Sequence, residues 1–414
     1  MRWQVSLVML VMAAPLSAAD KPFFFQKGDR IVFLGDSITE QYQYSTDIEL
    51  YLTTRFPDWS LTFLNAGIGG DTAIGGAGRF QTHVLDEEPT AVTINFGMND
   101  AGYQKFDANR NKTYVEKSEA MLEMAKKAGV RVALLSPNAV DRRRSPQFSD
   151  FKIYLETQKQ FYAPLKGIAE KHGVAFVDQY AITRAALERM EADKAEKVVP
   201  FGDGFHTASL GGLLMAHTIL VGLGAPAEVS DVRIDIGAPR QDQARGCKVA
   251  KLEATKTAVS FERTDNAIPI PVQKDWVSLL PYVNDLKDLN HFGLTVVGLA
   301  EGKYTIAIDG KDVATVTADE LAKGLNLGNV TTGPIYEQGQ KAFEAINAKN
   351  RIVHGRFRGV VMFTNPPDWL ADVYKERKPQ ELAKRKEQID KAQAEIYKLV
   401  KPATHQFTVK PVAK

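Results

Sequence analysis

The sequence has a single cysteine, Cys247, among its 414 residues. An intrachain disulfide is therefore impossible, and the fold depends on its apolar core and its hydrogen bonds. Zinc sites built from several cysteines are excluded by the same count. Because no catalytic pattern surrounds Cys247, we expect a buried structural thiol rather than a nucleophile.

Positively and negatively charged residues are nearly equal in number. Lys and Arg number 52, Asp and Glu number 50, and the formal net charge is +2. No bulk electrostatic attraction to nucleic acid or to an anionic membrane follows, so we predict no nucleic-acid partner. We predict no metal and no cofactor, since metal-ligand spacing is absent around six of the histidines, His83, His172, His217, His291, His354 and His405.

Long apolar runs are missing downstream of the N-terminus. The stretch from Val5 to Pro15 is mostly apolar, with a positive start before it and Ser17-Ala18-Ala19 after it. This pattern is typical of a secretory signal, and the run is too short to span a bilayer comfortably. We therefore predict a signal peptide over residues 1–19, export to the periplasm or the medium, and no stable membrane insertion. A short membrane anchor is the alternative.

Short apolar stretches alternate with amphipathic ones from about residue 28 to residue 224. We predict strands over 31–34, 61–65, 91–96, 130–135 and 174–177, and helices over 41–56, 78–85, 113–128, 151–172, 179–195 and 209–221. Such alternation favours an α/β fold, here a doubly wound, flavodoxin-like parallel sheet of about five strands with helices on both faces.

The pattern changes near Ala225-Pro226, and the chain downstream predicts a C-terminal α+β extension. Asp309-Gly310 is typical of a hairpin turn, and Thr317 with Glu320 forms a candidate capping box. Two further helices are expected near 337–350 and 379–400. We divide the mature chain into an α/β domain, a strand-rich accessory region and a helical C-terminal region, over residues 20–227, 228–330 and 331–414. The extension could bind glycan, act as a lid or widen the core.

Four short motifs lie where predicted strands end or just before the last helix of the α/β domain. They are Gly35-Asp36-Ser37-Ile38, Asn65-Ala66-Gly67-Ile68-Gly69-Gly70-Asp71-Thr72, Gly97-Met98-Asn99-Asp100 and Asp203-Gly204-Phe205-His206. The carboxyl ends of parallel strands form the edge where α/β sheets bind ligands. On its own turn, Ser37 is equally compatible with a helix N-cap and with a nucleophile.

The residue types in the motifs match the needs of covalent ester cleavage. That chemistry requires a nucleophile, a base, a group that orients the base and donors for the oxyanion. Ser37 supplies a hydroxyl and His206 a base. Asp203 lies three residues before His206, so one loop can present both side chains and the carboxylate can hold the imidazole.

Together the four motifs closely resemble those of the SGNH hydrolases, the GDSL-type esterase/lipase family. The resemblance covers about half of the chain, and Ile38 stands where the family name has leucine. It implies a catalytic triad and a three-donor oxyanion hole. The triad is Ser37, Asp203 and His206, and the donors are the backbone N–H groups of Ser37 and Gly70 and the side-chain amide of Asn99.

Other polar residues of the motifs are assigned supporting roles. We expect Asp36 to shape the nucleophile turn and Asp100 to support the Asn99 turn. Asp71, Thr72 and Arg79 are expected to stabilise the glycine loop. Nucleotide binding by that loop is not favoured, because it lacks the Gly-Lys-Ser/Thr ending of a P-loop and the full Rossmann glycine spacing.

The motifs indicate a reaction type rather than a substrate. For an exported esterase we favour O-acetyl groups on a carbohydrate, with another small ester possible. A lysophospholipase or short-chain lipid esterase is the alternative enzyme, and a glycan-binding protein with a vestigial catalytic fold is the alternative of another class. Arg142, Arg143 and Arg144 could bind uronic acids at the cleft rim, although a solvated surface turn is the simpler interpretation. The oligomeric state is left open.

Overall fold

The fold is given by a computed structural model that describes residues 22–144, 151–237, 243–364 and 366–412. The predicted signal peptide over residues 1–19 lies outside these ranges. Within them, no helix is long and apolar enough to cross a membrane.

A five-stranded parallel sheet forms the centre of the N-terminal half. Its strands are β1 (Arg30–Gly35), β2 (Thr62–Gly67), β3 (Ala91–Asn95), β4 (Arg131–Leu135) and β5 (Ala175–Val177). They are ordered β2-β1-β3-β4-β5. The strand order therefore reverses between β1 and β3, which is where doubly wound sheets open a crevice for ligands.

Helices cover both faces of this sheet. They are α1 (Ser37–Glu40), α2 (Gln43–Arg55), α3 (Ala73–His83), α4 (Met98–Ala101), α5 (Ala108–Lys127), α6 (Phe151–Tyr162), α7 (Pro164–His172), α8 (Gln179–Ala192) and α9 (Ser209–Gly222). The helices form two packed groups, one of α3, α5 and α7 and the other of α2, α8 and α9. The predicted doubly wound α/β fold is thereby confirmed.

Two prolines account for the largest differences in helix boundaries. The predicted helix over 151–172 is two helices, because Pro164 begins α7 and has no N–H to continue α6. In the C-terminal half, the helix expected to start at Pro379 starts earlier and runs through that proline.

A β-sandwich follows the α/β domain. Its strands are β6 (Glu228–Asp235), β7 (Gln243–Arg245), β8 (Cys247–Ala254), β9 (Val259–Asp265), β10 (His291–Val297), β11 (Lys303–Ile308), β12 (Lys311–Thr317), β13 (Leu325–Asn326) and β14 (Thr404–Pro411). They form one sheet ordered β13-β10-β6-β7 and a second ordered β12-β11-β14-β9-β8. The two sheets share one apolar core, in which Phe292 faces Phe407. As predicted, Asp309-Gly310 makes the turn between β11 and β12, and both residues have positive φ.

The last strand departs from the expectation of a helical C-terminal region. β14 lies between β11 and β9 in the second sheet, so the end of the chain pairs with strands more than ninety residues upstream. Its side chains alternate between buried and exposed, with Phe407 and Val409 in the core. The pairing is non-local, which is why no feature near residue 404 identifies the partner strands. The division of the chain at residue 330 stays a prediction.

Cys247 is half-buried at the start of β8 rather than fully enclosed. Its Sγ lies 3.8 Å from the carbonyl oxygen of Asp231. Burial raises the pKa of the Cys247 thiol to about 11, so the group stays protonated at neutral pH.

Helical segments connect the sandwich back to the α/β domain. They are α10 (Ala318–Lys323), α11 (Pro334–Arg356) and α12 (Ala371–Leu399), with a π-helical turn at Phe357–Val361 after α11. The predicted capping box of Thr317 and Glu320 is present at the start of α10. We call α11, the π-helical turn and α12 the C-terminal hairpin. The first half of α11 packs in the sandwich core and the second half in the α/β core, so one helix belongs to both.

A buried ion pair anchors the C-terminal hairpin to α2. Lys349 Nζ donates to Glu49 and to Gln393 Oε1, the latter at 3.0 Å, and lies 5.1 Å from the centre of the Phe63 ring. Lys349 and Glu49 are each about 1% exposed. Burial raises the pKa of Glu49 while Lys349 opposes that shift. Each charge is therefore stable in the interior only because the other compensates it.

Removing one partner of this pair is expected to destabilise the fold in a pH-dependent way. In K349M the buried Glu49 loses its counter-charge, so its folded-state pKa rises further above the unfolded value. The cost is then small near pH 4, where the carboxyl is protonated in the folded state and mostly protonated in the unfolded state, and grows with pH to about 3–5 kcal/mol at pH 8. Urea unfolding at both pH values measures it. The double variant E49L/K349M leaves no unpaired charge and should recover most of the loss, and equal stability of K349M and wild type at pH 8 would contradict the expectation.

Candidate active site

The turn after β1 places Ser37 at the first position of α1. Asp36 is the N-cap, and its Oδ1 accepts the N–H of Ile38 at 3.0 Å. A Cβ on Gly35 would lie 2.1 Å from Thr39 Oγ1, so only glycine fits before this turn. Because Ser37 opens the helix, its N–H has no intrahelical acceptor. The residue thus presents both a hydroxyl and an amide donor at the sheet edge.

Three side chains from two distant segments form a continuous relay. Ser37 Oγ lies 2.8 Å from His206 Nε2, and His206 Nδ1 lies 2.6 Å from Asp203 Oδ2. The other carboxylate oxygen, Oδ1, accepts the backbone N–H of Phe205 at 3.1 Å and of His206 at 2.8 Å. The loop before α9 therefore holds the carboxylate and the imidazole in one rigid unit.

The ionisation of Asp203 decides how the relay is protonated. Burial acts to raise its pKa, but hydrogen bonds from the His206 ring and from two backbone amides hold the pKa below its usual range. An ionised carboxylate can only accept, so the Nδ1 of His206 carries the proton. The lone pair on Nε2 then faces the hydroxyl of Ser37, which is the arrangement a general base requires.

The glycine loop after β2 makes a tight turn beside Ser37. The N–H of Asp71 donates to the carbonyl of Ile68 at 3.2 Å, and Gly70 has φ +74. A positive φ at the third position of a four-residue turn strongly favours glycine. Within the described part of the chain, the N–H of Gly70 has no acceptor. It is free to donate to a ligand.

Asn99 reaches the same loop from the end of β3. Its Nδ2 donates to the carbonyl of Asp71 at 2.9 Å, and its Oδ1 accepts the hydroxyl of Tyr103 at 3.2 Å. The first bond fixes the amide orientation, because a backbone carbonyl can only accept, and the Tyr103 hydroxyl then donates to the amide oxygen. The second N–H of Asn99 remains for a ligand.

Tyr103 is a contributor that sequence reasoning missed. Its ring centre lies 5.2 Å from that of Phe205, and the Phe205 ring lies 4.2 Å from the His206 ring. Tyr103 therefore links the Asn99 turn to the loop that carries the histidine. Its place four residues after Asn99 was the one available signal, and a single tyrosine at that spacing is not specific.

Asp71 and Arg79 fasten the glycine loop to the sheet. Arg79 Nε lies 2.8 Å from Asp71 Oδ2, and Arg79 Nη2 donates to the carbonyl of Gly35 at 3.2 Å. The pair is nearly enclosed by the protein. Thr72 occupies the N-cap position of α3 without a side-chain capping bond. Asp71 and Arg79 have the contacts that stabilising the loop requires, whereas Thr72 contributes through its backbone position.

Two buried carboxyl groups lie under the site. Asp36 caps α1, as described, and Asp100 Oδ1 accepts the N–H of Ala73 at 2.9 Å. Asp100 therefore caps α3, and its expected support of the Asn99 turn stays a prediction. Burial raises the pKa of Asp36 and of Asp100 to about 7, and each also lies near Asp71. The carboxylate that bonds to the His206 ring is that of Asp203.

The arginine run after β4 is paired with its own chain. Arg142 Nε donates to Glu191 at 2.6 Å, Arg143 Nη2 lies 2.7 Å from Asp141 Oδ2, and Arg144 Nη2 donates to the carbonyl of Glu196 at 3.1 Å. Arg143 is mostly buried whereas Arg142 is exposed, so the run is partly solvated. The run borders a cavity of about 460 Å³. Uronate binding there stays a prediction, and it would have to compete with these internal pairs.

A cleft of about 410 Å³ opens beside Asn99. All of its lining side chains except that of Ile74 carry amide, hydroxyl or charged groups. The lining is Thr72, Ile74, Asn99, Asp100, Asn109, Arg110, Thr113 and Tyr114. Asn99 is thus shared between this cleft and the candidate oxyanion donors.

In the ranges that the structure describes, no three His, Cys, Asp or Glu side chains converge as a metal site would need. Two histidines outside the relay each pair with one carboxylate. His217 Nε2 lies 2.8 Å from Asp288, and His405 Nδ1 lies 2.7 Å from Asp309. Each carboxylate gives its imidazole a polar partner at a mostly buried position.

Known proteins are similar to parts or all of this chain. An acetylxylan esterase of Geobacillus stearothermophilus is 23% identical over 219 residues, which cover 48% of this chain and 94% of that protein. The uncharacterized lipoprotein YqeF of Bacillus subtilis (strain 168) is 37% identical over 79 residues, 19% of this chain and 32% of the lipoprotein. The match therefore spans about a third of that lipoprotein.

Among solved structures, that of a gut microbial diltiazem-metabolizing enzyme resembles the whole architecture. It is 23% identical, with a TM-score of 0.81 over 95% of this chain and 100% of that chain. A likeness at this identity concerns the fold. It shows that the α/β domain, the sandwich and the C-terminal hairpin occur together in another protein.

The model of the GDSL-like Lipase/Acylhydrolase family matches residues 33–211. This segment begins within β1, ends in the first turn of α9 and contains all four motifs. The resemblance seen in the sequence is thereby confirmed. The α/β domain of this chain belongs to the GDSL-like lipase/acylhydrolase family, and with it to the carboxylic ester hydrolases.

Proposed function

We propose that the protein is a serine esterase that uses Ser37 as its nucleophile and removes O-acetyl groups from a carbohydrate. The observation that carries the reaction type is the relay from Ser37 Oγ through His206 to Asp203, with distances of 2.8 and 2.6 Å. Both lie within hydrogen-bond reach, and the ionised carboxylate fixes the tautomer that the mechanism needs.

Acylation begins when Ser37 Oγ attacks the ester carbonyl carbon. His206 Nε2 takes the hydroxyl proton, and Asp203 stabilises the imidazolium that forms. The negative charge on the carbonyl oxygen is met by the N–H groups of Ser37 and Gly70 and by the amide of Asn99. Collapse of the tetrahedral intermediate breaks the bond to the alcohol, which leaves with the proton from His206. One donor of this kind contributes roughly 3 kcal/mol.

Deacylation repeats the sequence with water. His206 takes a proton from the water as its oxygen attacks the acyl carbon, and the same donors hold the oxyanion. The bond to Ser37 Oγ then breaks, and the serine recovers its proton from His206. The products are the free acid and the alcohol, so the enzyme returns unchanged and no co-reactant besides water is consumed.

The proposed substrate class rests on the cleft beside Asn99. Its amide, hydroxyl and guanidinium groups, next to the exposed side chain of Ile74, suit a sugar ring, which has hydroxyl edges and an apolar face. The similarity to an acetylxylan esterase supports the same class. An acetyl group needs only a small acyl pocket, so selectivity would come from contacts to the sugar.

We further propose that the enzyme is exported and acts outside the cytoplasm. The composition of residues 1–19 supports this, as does the similarity of part of the chain to a protein named as a lipoprotein. Acetylated polysaccharides occur in that compartment.

Replacement of Ser37 tests the reaction type. Hydrolysis of p-nitrophenyl acetate should fall at least about a thousandfold in kcat for S37A, because no other group can form the acyl-enzyme. S278A, which removes an exposed hydroxyl bonded to the carbonyl of Asp275, is the matched control and should keep wild-type activity. Equal turnover by S37A and wild type, or no turnover by wild type, would reject the mechanism.

Acyl-chain selectivity tests the substrate class. The proposed deacetylase activity predicts a higher kcat/KM for p-nitrophenyl acetate than for p-nitrophenyl octanoate, and release of acetate from at least one of acetylated xylan, pectin, alginate or peptidoglycan. Acetate is quantified enzymatically, with S37A as the blank. A preference for octanoate together with no acetate release would instead assign a lysophospholipase or short-chain lipid esterase.

A further inference from the structure

Glu40, three residues after Ser37, connects the glycine loop to the C-terminal hairpin. Its Oε2 accepts the N–H of Gly69 at 2.5 Å. Its Oε1 lies 3.1 Å from Arg358 Nε and 3.8 Å from His354 Nε2. One carboxylate therefore joins the loop that precedes Gly70 to two cationic or cationisable side chains from a segment more than three hundred residues away.

The loop is packed directly against Glu40 and Ser37. A Cβ on Gly69 would lie 3.0 Å from Glu40 Oε2 and 4.0 Å from the Cβ of Ser37, and a Cβ on Gly67 would lie 2.3 Å from the backbone N of Glu40. The N–H of Gly69 belongs to the first peptide of the Ile68–Asp71 turn, and the N–H of Gly70 belongs to the next. Holding the first peptide thus constrains the direction of the second, which is the proposed oxyanion donor.

The two ends of the loop are held by different parts of the protein. Asp71 is fastened by Arg79, within the α/β domain. The Gly69 end is fastened by Glu40, which is itself held by Arg358 from the π-helical turn. A charge-assisted bond from a backbone N–H to a carboxylate is stronger than a neutral one. It keeps its direction only while the carboxylate itself is held in place.

The C-terminal hairpin has further contacts that set its position along α2. Lys349 pairs with Glu49 in the interior, and Asn350 Nδ2 donates to Thr46 Oγ1 at 3.1 Å. The His354 ring meets the Tyr42 ring edge-to-face with centres 5.8 Å apart. These contacts run along one face of α11 toward the site. The contact of Arg358 with Glu40 lies at the end of this interface between the C-terminal hairpin and the α/β domain.

We propose that Glu40 and Arg358 are positioning residues for the oxyanion loop, and that the C-terminal hairpin thereby completes the active site of the α/β domain. The inference rests on the proposed esterase function for its catalytic consequence. The structural part, that Arg358 orders the loop through Glu40, does not depend on that function. The hairpin is then a component of the catalytic unit rather than an independent accessory.

A purely stabilising role of the hairpin predicts a different pattern. Arg358 is 39% exposed in its side chain, and ion pairs at that exposure contribute little to stability. Arg356, two residues earlier, pairs with Glu87 at 2.9 Å and is only 15% exposed. If the hairpin acted through stability alone, R356A would be at least as harmful as R358A. This makes R356A the matched control.

Steady-state kinetics on p-nitrophenyl acetate with the full chain form the first arm. We expect R358A to lower kcat about fivefold with little change in KM, because the oxyanion donors act mainly in the transition state. R358K keeps the charge, so its kcat should stay within about twofold of the wild-type value. The kcat of R356A should also stay within about twofold of wild type. E40A also loses the acceptor for Gly69 and should lower kcat by about tenfold or more. In E40A/R358A the two losses should not add, since both act through one contact.

Hydrogen–deuterium exchange of the peptide covering residues 67–72 forms the second arm and needs no turnover. Exchange should be faster in R358A and E40A than in wild type and unchanged in R356A. Unchanged exchange and unchanged kcat in R358A would overturn the proposal, as would equal effects of R356A and R358A. If wild type fails to hydrolyse esters while R358A still loosens the loop, the proposed function fails and the positioning contact stands.

Discussion

The hydrogen bond between Ser37 Oγ and His206 Nε2 is the contact on which the site depends, and it joins residues 169 positions apart. It forms because β1 ends at the point where the strand order reverses, and because the loop before α9 returns to that edge. Asp203 gives the bond its direction by holding the proton on the other imidazole nitrogen. A shift of either segment by about 1 Å would separate a nucleophile from its base.

The oxyanion side of the site is assembled from more parts than the relay. Gly70 belongs to a turn held at one end by Arg79, and Asn99 accepts a hydrogen bond from Tyr103, whose ring also touches Phe205. The donors and the base are therefore linked through aromatic contacts as well as through the sheet. The Gly69 end of the same turn contacts Glu40, and through it the C-terminal hairpin.

The hairpin explains how the two halves of the chain form one architecture. α11 contributes apolar side chains to the sandwich core and to the α/β core, and the buried pair of Lys349 and Glu49 sets its register on α2. A buried pair is costly to break and tolerates little displacement, so it specifies position as well as contributing contacts. The sandwich, closed by β14 from the end of the chain, supports α11 at its other end.

The sequence by itself determined the α/β class, its strands and the four motifs, because buried strands, capping residues and glycine turns are local features. It also indicated Ser37, Asp203, His206, Gly70 and Asn99 as candidates. Only the tertiary structure decided what depends on contacts between distant segments: the relay distances, the capping of α3 by Asp100 and the contact of Tyr103 with Phe205. The internal pairing of Arg142–Arg144, the placement of β14 and the Glu40–Arg358 contact are of the same kind. Each joins residues whose separation along the chain carries no periodic signal.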